Sequence, residues 1–288
     1  RVYRHHVHYI PDVTHGITIP TEAVEEIYTM LSGMDLKKRL QVPGLEQDRA
    51  DLSVTGIGII YRLLKAINGT ELTVSASSLR DGLFYKHIYP RDPILFNVLT
   101  HHINNLIDYH NLDESHLRRV SNLAVILFDQ LAPLHKFGSH ERRLLIAGLL
   151  HELGVVISVE SLDKHTLYTV LNSPLLGLTH RERVLAAFLA ASHDGLFQTN
   201  LQNYVDYGPI EPADMERIKK LAPLLQIAHS LDRSRTGVVT HLQATLTHEV
   251  CELKVFGTQK RDLEVRDAYR QGEAFRNEYG VELKIVQG

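Results

Sequence analysis

The chain has 288 residues, 44% hydrophobic and 23% charged, enough for one or two domains with sizeable cores. Its 31 Lys and Arg nearly balance 34 Asp and Glu for a formal net charge of -3, which argues against coating nucleic acid by bulk charge and leaves only local basic grooves. A single cysteine, Cys251, excludes an intramolecular disulfide and a cysteine-based zinc site, no apolar run reaches membrane-spanning length, and a reducing cytoplasm fits best.

The chain opens Arg1-Val2-Tyr3 with neither an initiator Met nor a signal-like stretch, so it is expected to begin inside a longer protein. His5-His6-Val7-His8 resembles a tag remnant, but Val7 interrupts it and it leads into strand-like Tyr9-Ile10. The first 90 or so residues read as α/β structure. Thr21 to Met30 forms a helix with Thr21 as N-cap and Glu22, Glu25 and Glu26 near its positive end. Asp35 to Leu40 is a second short helix, closed by Pro43-Gly44. The apolar, glycine-containing stretch from Val54 to Ile60 runs into a helix, where Gly56 and Gly58 mark either close packing or a phosphate cradle. Leu72-Thr73-Val74 reads as a short buried strand, and Ser75 to Gly82 as a turn that opens another helix.

Tyr89-Pro90-Arg91-Asp92-Pro93 is the best domain boundary, because proline disfavours helix in the residue before it. Beyond it apolar residues recur at helical spacing, at Leu95, Leu99, Ile103, Leu106 and Ile107, then at Leu117, Val120, Leu123, Ala124, Leu127 and Leu131. Further helices are predicted for Glu141 to Leu153, His165 to Leu171, Thr179 to Ala191 and Pro212 to Leu231. The tail changes character, with strands at Val238 to Thr247 and Val250 to Phe256, a helix at Val265 to Tyr279 and a strand at Val281 to Val286. The whole is α+β and predominantly helical.

Imidazole and carboxylate groups suit a borderline or hard divalent cation, and His116, His151, Glu152 and Asp232 are the candidate ligands, with His165 and His193 as possible additions. His116 stands at a helix start before Arg118-Arg119, either as a ligand or as a core imidazole. His151 and Glu152 sit in Leu149-Leu150-His151-Glu152-Leu153-Gly154, and Gly154 implies that the pair lies at a helix end. Asp232 ends an apolar helix, where the dipole disfavours a carboxylate, so a metal, a ligand network or Arg233 or Arg235 must hold it. His165 and His193 are otherwise ordinary helix-end histidines.

This set is close to that of HD-type phosphohydrolases, except that Glu152 stands where a two-metal HD site has a short bridging Asp. In order and surroundings the chain resembles the C-terminal part of the exopolyphosphatase / guanosine pentaphosphate phosphohydrolase (Ppx/GppA) family over nearly its whole length. The resemblance rests on Leu45 to Asp51 before the Gly56 helix, Val74-Ser75 with Leu79 to Leu83, Ala147 to Gly154, Lys164-His165 with Asn172-Ser173 and Gly177, and Ile227 to Ser234.

It implies part of the second lobe of an actin-like (ribonuclease H-like) phosphatase module at 1–90, then an HD-like helical domain with a small α+β end at 91–288. It further implies hydrolysis of a terminal phosphoanhydride in inorganic polyphosphate or guanosine pentaphosphate, assisted by a carboxylate base and a divalent cation, usually Mg2+. The catalytic residues for that step are expected upstream of Arg1. Gly56, at a helix start, and Arg80, unless it pairs with Asp81 or Asp51, are left as phosphate contacts. Arg118, Arg119, Lys164, Arg233 and Arg235 form either a polyanion track or a solvated face. A homodimer is expected, with neither membrane nor nucleic acid as partner. Two other functions stay open: an HD-type metal-dependent phosphohydrolase, and a non-catalytic polyphosphate- or alarmone-binding module with a decayed metal site.

Overall fold

A computed structural model describes residues 2–3, 15–194 and 210–288, so the histidine cluster from His5 to His8 and the pattern at Tyr9-Ile10 fall outside the described residues. The architecture is mixed α+β and predominantly helical. Contacts divide it into one unit built mainly from residues 1–97 and another built mainly from residues 98–288.

In the first unit, β1 (Thr18–Pro20) pairs antiparallel with β2 (Glu71–Thr73), and Leu72 is only half-buried because this small sheet has just two strands. Helix α1 (Thr21–Ser32) starts one residue earlier than the sequence implies. Pro20 is the N-cap, and the Thr21 hydroxyl donates to the Gly69 carbonyl at 2.7 Å rather than capping. The Asp35 side chain caps α2 (Leu36–Arg39) through the Lys38 N–H. The stretch around Gly56 and Gly58 is wholly helical, as α3 (Ser53–Ala66). Gly58 is there for packing, since a Cβ on it would sit 2.9 Å from the Tyr28 ring, which stacks on Tyr61 between α1 and α3. The Gly56 N–H, expected to face a phosphate, donates instead to the Leu52 carbonyl at 2.9 Å. Helix α4 (Leu79–Ile88) opens with a capping box in which Asp81 accepts from the Ser78 N–H and hydroxyl, leaving Arg80 exposed on the first turn.

The second unit grows from the apolar stripes. Helix α5 (Val98–Tyr109) buries Leu99, Ile103, Leu106 and Ile107, and α6 (Glu114–Gln130) buries Leu117, Val120, Leu123, Ala124 and Leu127. After α7 (Ala132–His135) the expected helix from Glu141 to Leu153 is broken. Helix α8 (Ser139–Leu144) passes into a 3-10 segment at Leu145–Leu149, and a second follows at Leu153–Val156. Close approach explains the break: a Cβ on Gly148 would lie 2.9 Å from the Ser121 Cα, so the 3-10 segment presses directly on α6.

Helix α9 (Leu162–Asn172) packs on the second 3-10 segment. In α10 (His180–Ala191) every residue from Val184 to Ala191 is buried, which erases any amphipathic period. Helix α11 (Pro212–Ser230) packs on α6 and on the 3-10 turn Ser192–Asp194. The tail forms a sheet in which β3 (Val239–Leu246) pairs antiparallel with β4 (Val250–Gly257), and β4 pairs parallel with β5 (Glu282–Gln287). The single helix expected from Val265 to Tyr279 is two, α12 (Asp262–Tyr269) and α13 (Gly272–Tyr279). At Arg270 and Gln271 the N–H groups turn back to the Asp267 and Ala268 carbonyls. Among the described residues no helix is long and apolar enough to cross a membrane.

Candidate metal centre

Four segments of the second unit converge on one histidine cluster. His116 comes from the first turn of α6, where the Asp113 side chain caps the helix through the His116 N–H. His151 and Glu152 come from the turn between the two 3-10 segments, not from a helix end. His193 comes from the 3-10 turn after α10, and His229 from the last turn of α11. The rings touch: His151 lies 5.4 Å from His116, 5.1 Å from His193 and 5.1 Å from His229 between centroids. Ligand atoms of His116, His151, Glu152 and His229 all lie within 4.8 Å of one another.

Gly154 is needed for a reason other than a helix cap, since its φ is not positive. A Cβ there would sit 2.7 Å from Thr166 Oγ1 and 2.8 Å from the His165 carbonyl carbon. Thr166 Oγ1 in turn accepts from the Gly154 N–H at 3.3 Å and donates to the His151 carbonyl at 3.1 Å, which pins the turn carrying His151 to α9.

The partners fix the protons on the rings. His116 Nδ1 lies 2.7 Å from Asp232 Oδ2, His151 Nδ1 2.6 Å from the Gly148 carbonyl, and His193 Nδ1 2.9 Å from the Ala190 carbonyl. Carbonyls and carboxylates only accept, so each neutral ring donates from Nδ1 and keeps its lone pair on Nε2. The Nε2 atoms of His116 and His151 are buried without a hydrogen-bond partner. Burial pushes the His151 imidazolium far below its ordinary range, and the neighbouring His193 and His229 add to the effect. His229, partly exposed, is likewise lowered to about 3, first by burial and then by His193 and His116. Imidazole nitrogens with inward lone pairs are metal-ligand chemistry, and leaving such atoms buried and unpaired is expensive.

Two guanidiniums attend the two carboxylates. Arg119 Nε donates to Asp232 Oδ2 at 2.9 Å, and the Gly237 N–H donates to Asp232 Oδ1 at 3.0 Å. Asp232 therefore meets the cluster through His116, with both oxygens engaged, and this answers why a carboxylate stands in the turn just beyond α11. Arg235 forks onto both oxygens of Glu152, one contact being 3.0 Å and the other shorter. Arg235 holds this position in the left-handed region, with φ +59°.

Other residues expected at the site fall elsewhere. His165, in α9, is outside the gathered ligand group. Arg118 donates to Glu114 and Asn104, and Arg233 approaches Asp267 at 3.9 Å, so these two, like Arg119 and Arg235, each have a partner in the chain. Lys164 is exposed on α9. His229 was missed in the sequence, although it stands in the last turn of the helix, three residues before Asp232.

Comparison with known proteins bears on both units. The family profile Ppx/GppA phosphatase, domain III matches residues 98–268, and that of the Ppx/GppA phosphatase family matches residues 2–89. The guanosine-5'-triphosphate,3'-diphosphate pyrophosphatase of Aeromonas salmonicida (strain A449) is 28% identical over 219 residues, 75% of this chain and 42% of the relative. The protein of the same name from Aeromonas hydrophila subsp. hydrophila is 27% identical over 206 residues, 69% of this chain and 39% of the relative. The chain thus spans about two fifths of the length of these relatives.

Proposed function

Since this chain belongs to the Ppx/GppA phosphatase family, we propose that it is the C-terminal part of a phosphoanhydride hydrolase that removes the terminal phosphate of guanosine pentaphosphate, with inorganic polyphosphate as the other candidate substrate. The observation that carries this reading is the domain III match over residues 98–268, joined to relatives named as pyrophosphatases of that nucleotide. Water attacks the terminal phosphorus, the anhydride P–O bond breaks, and guanosine tetraphosphate leaves with phosphate and a proton. The base, the phosphate loops and the Mg2+ that assist this step belong to sequence outside this chain, a division favoured by its two-fifths share of the relatives' length.

Within the chain, residues 1–90 serve as part of an actin-like second lobe and residues 91–288 as an HD-like helical domain with its α+β tail, in a cytoplasmic homodimer. Arg80, Arg118 and Lys164 contact the anion. Arg118 would exchange its partners Glu114 and Asn104 for the anion, because its exposed pairing with Glu114 is worth at most about 1 kcal/mol and a phosphate offers the same guanidinium a stronger partner. The buried histidine cluster favours a second reading, in which it has a hydrolytic role of its own.

The experiment is incubation of the full-length protein with guanosine pentaphosphate or polyphosphate and Mg2+, with separation of products. Guanosine tetraphosphate and phosphate in equal amounts are expected. No release from either substrate would overturn the proposal, and release from polyphosphate alone would move the assignment to that substrate.

A further inference from the structure

We infer that His116, His151 and His229 form a site for a single borderline divalent ion of the zinc type, and that Arg235 stands on Glu152 in place of a second ion. The inference does not depend on the hydrolase reading. It starts from the two buried Nε2 atoms, on His116 and His151, that have no hydrogen-bond partner, and from the tautomers that leave a lone pair on each. His229 supplies the third nitrogen, and Glu152 Oε1, 3.8 Å from His116 Nε2, is the one oxygen in the group.

Three imidazole nitrogens and one oxygen choose the metal class. Mg2+ wants six oxygens in near-octahedral array and keeps its waters, whereas imidazole suits zinc and its transition-metal neighbours. A spread of 4.8 Å among the donors requires each to move by less than about 1 Å to reach bonds of about 2.1 Å. Asp232 is a positioning residue: it accepts from His116 Nδ1 and so aims Nε2 inward, as outer carboxylates do for metal-bound histidines.

The count of one ion follows from Arg235. A carboxylate that bridges two ions gives an oxygen to each, but both oxygens of Glu152 are in the Arg235 fork, and both oxygens of Asp232 are taken by Arg119, His116 and the Gly237 N–H. A second dication would meet two resident guanidiniums and no unpaired carboxylate. The left-handed backbone at Arg235 is a costly conformation for a long side chain, and it is held where the guanidinium reaches Glu152.

The test uses the full chain, stripped with a chelator and titrated with Zn2+, Co2+ and Mg2+ separately. One Zn2+ per chain is expected, together with the intense visible absorption of low-coordinate Co2+, and no Mg2+ binding that responds to the histidines. His229→Ala should weaken Zn2+ by more than about 100-fold and abolish the Co2+ band, while Asp232→Asn should weaken it by roughly 10–100-fold and keep the band. Arg235→Gln should raise the stoichiometry to two. A featureless Co2+ titration of the unmodified chain, or Mg2+ bound as tightly as Zn2+, would overturn the site without reliance on any variant. Two ions in the unmodified chain, or one ion in Arg235→Gln, would overturn the role of Arg235.

Discussion

Gly154→Ala probes the turn that carries His151 and Glu152. The added Cβ would fall nearest the Thr166 backbone nitrogen, then 2.7 Å from Thr166 Oγ1 and 2.8 Å from the His165 carbonyl carbon, so the closest approach is more than about 0.7 Å short of the 3.4 Å at which ordinary contact begins, and against backbone. Relief requires α9 and the 3-10 segment to separate, but α9 is anchored there by Thr166 and Val170 at 0% exposure and Leu171 at 4%. Overpacking of this kind costs about 1–3 kcal/mol, and loss of the Gly154 N–H bond to Thr166 adds about 1. A total of about 2–4 kcal/mol lowers the midpoint of thermal unfolding by roughly 5–10 °C in a unit of this size. Gly272→Ala is the control, because its Cβ meets nothing within 4 Å at the start of α13, and a Gly→Ala change at such a site is neutral or stabilising by about 0.4–1 kcal/mol. Thermal and denaturant unfolding of the three proteins decides the matter. Gly154→Ala within about 0.5 kcal/mol of the parent would refute the close-approach argument.

Asp214 is buried, and although burial opposes its ionisation, Arg181, the Glu211 N–H and Arg217 outweigh it and hold its carboxyl below the ordinary 3.8. The ionised form is the folded partner, so its contribution is complete above pH 3.8 and is lost as pH falls through the lower folded value. Asp214→Asn should cost about 2 kcal/mol at neutral pH, less than a fully buried pair because Arg181 and Arg217 are 37% and 31% exposed, and its unfolding midpoint should converge with the parent's in acid; a constant gap would contradict this. Phe275→Ala, at a fully buried ring packed 4.7 Å from Tyr279, should destabilise by about 3–5 kcal/mol in urea unfolding, and a loss under about 1 would refute its place in the core of the tail. Arg118→Ala should weaken binding of polyphosphate and flatten its dependence on salt, whereas unchanged titrations at low and high salt would remove Arg118 from the anion contacts.

The long amphipathic helices were legible because α5 and α6 each bury one stripe, so Leu99 to Ile107 and Leu117 to Leu127 keep the helical period. Strands β3 and β4 also stand where alternation places them, to within a residue or two. The break between Leu144 and Val156 was not legible, because it depends on Gly148 against Ser121 and Gly154 against Thr166, contacts between segments distant in sequence. At the cluster, residue types named His116, His151 and Glu152, but pairing decided the rest. Asp232 orients His116 instead of joining the ligand group, His229 takes its place there, and the arginines expected to line a track are held by neighbouring carboxylates and, for Arg118, also by Asn104.

On the proposed reading, the phosphoanhydride chemistry needs residues outside this chain. Phosphate release from guanosine pentaphosphate, measured in parallel for the full-length protein and for the 288-residue chain with Mg2+ or Zn2+ present, tests it directly. Release by the full-length protein alone is the expected result. Release by the 288-residue chain, lost in His151→Ala, would instead make the histidine cluster the seat of hydrolysis.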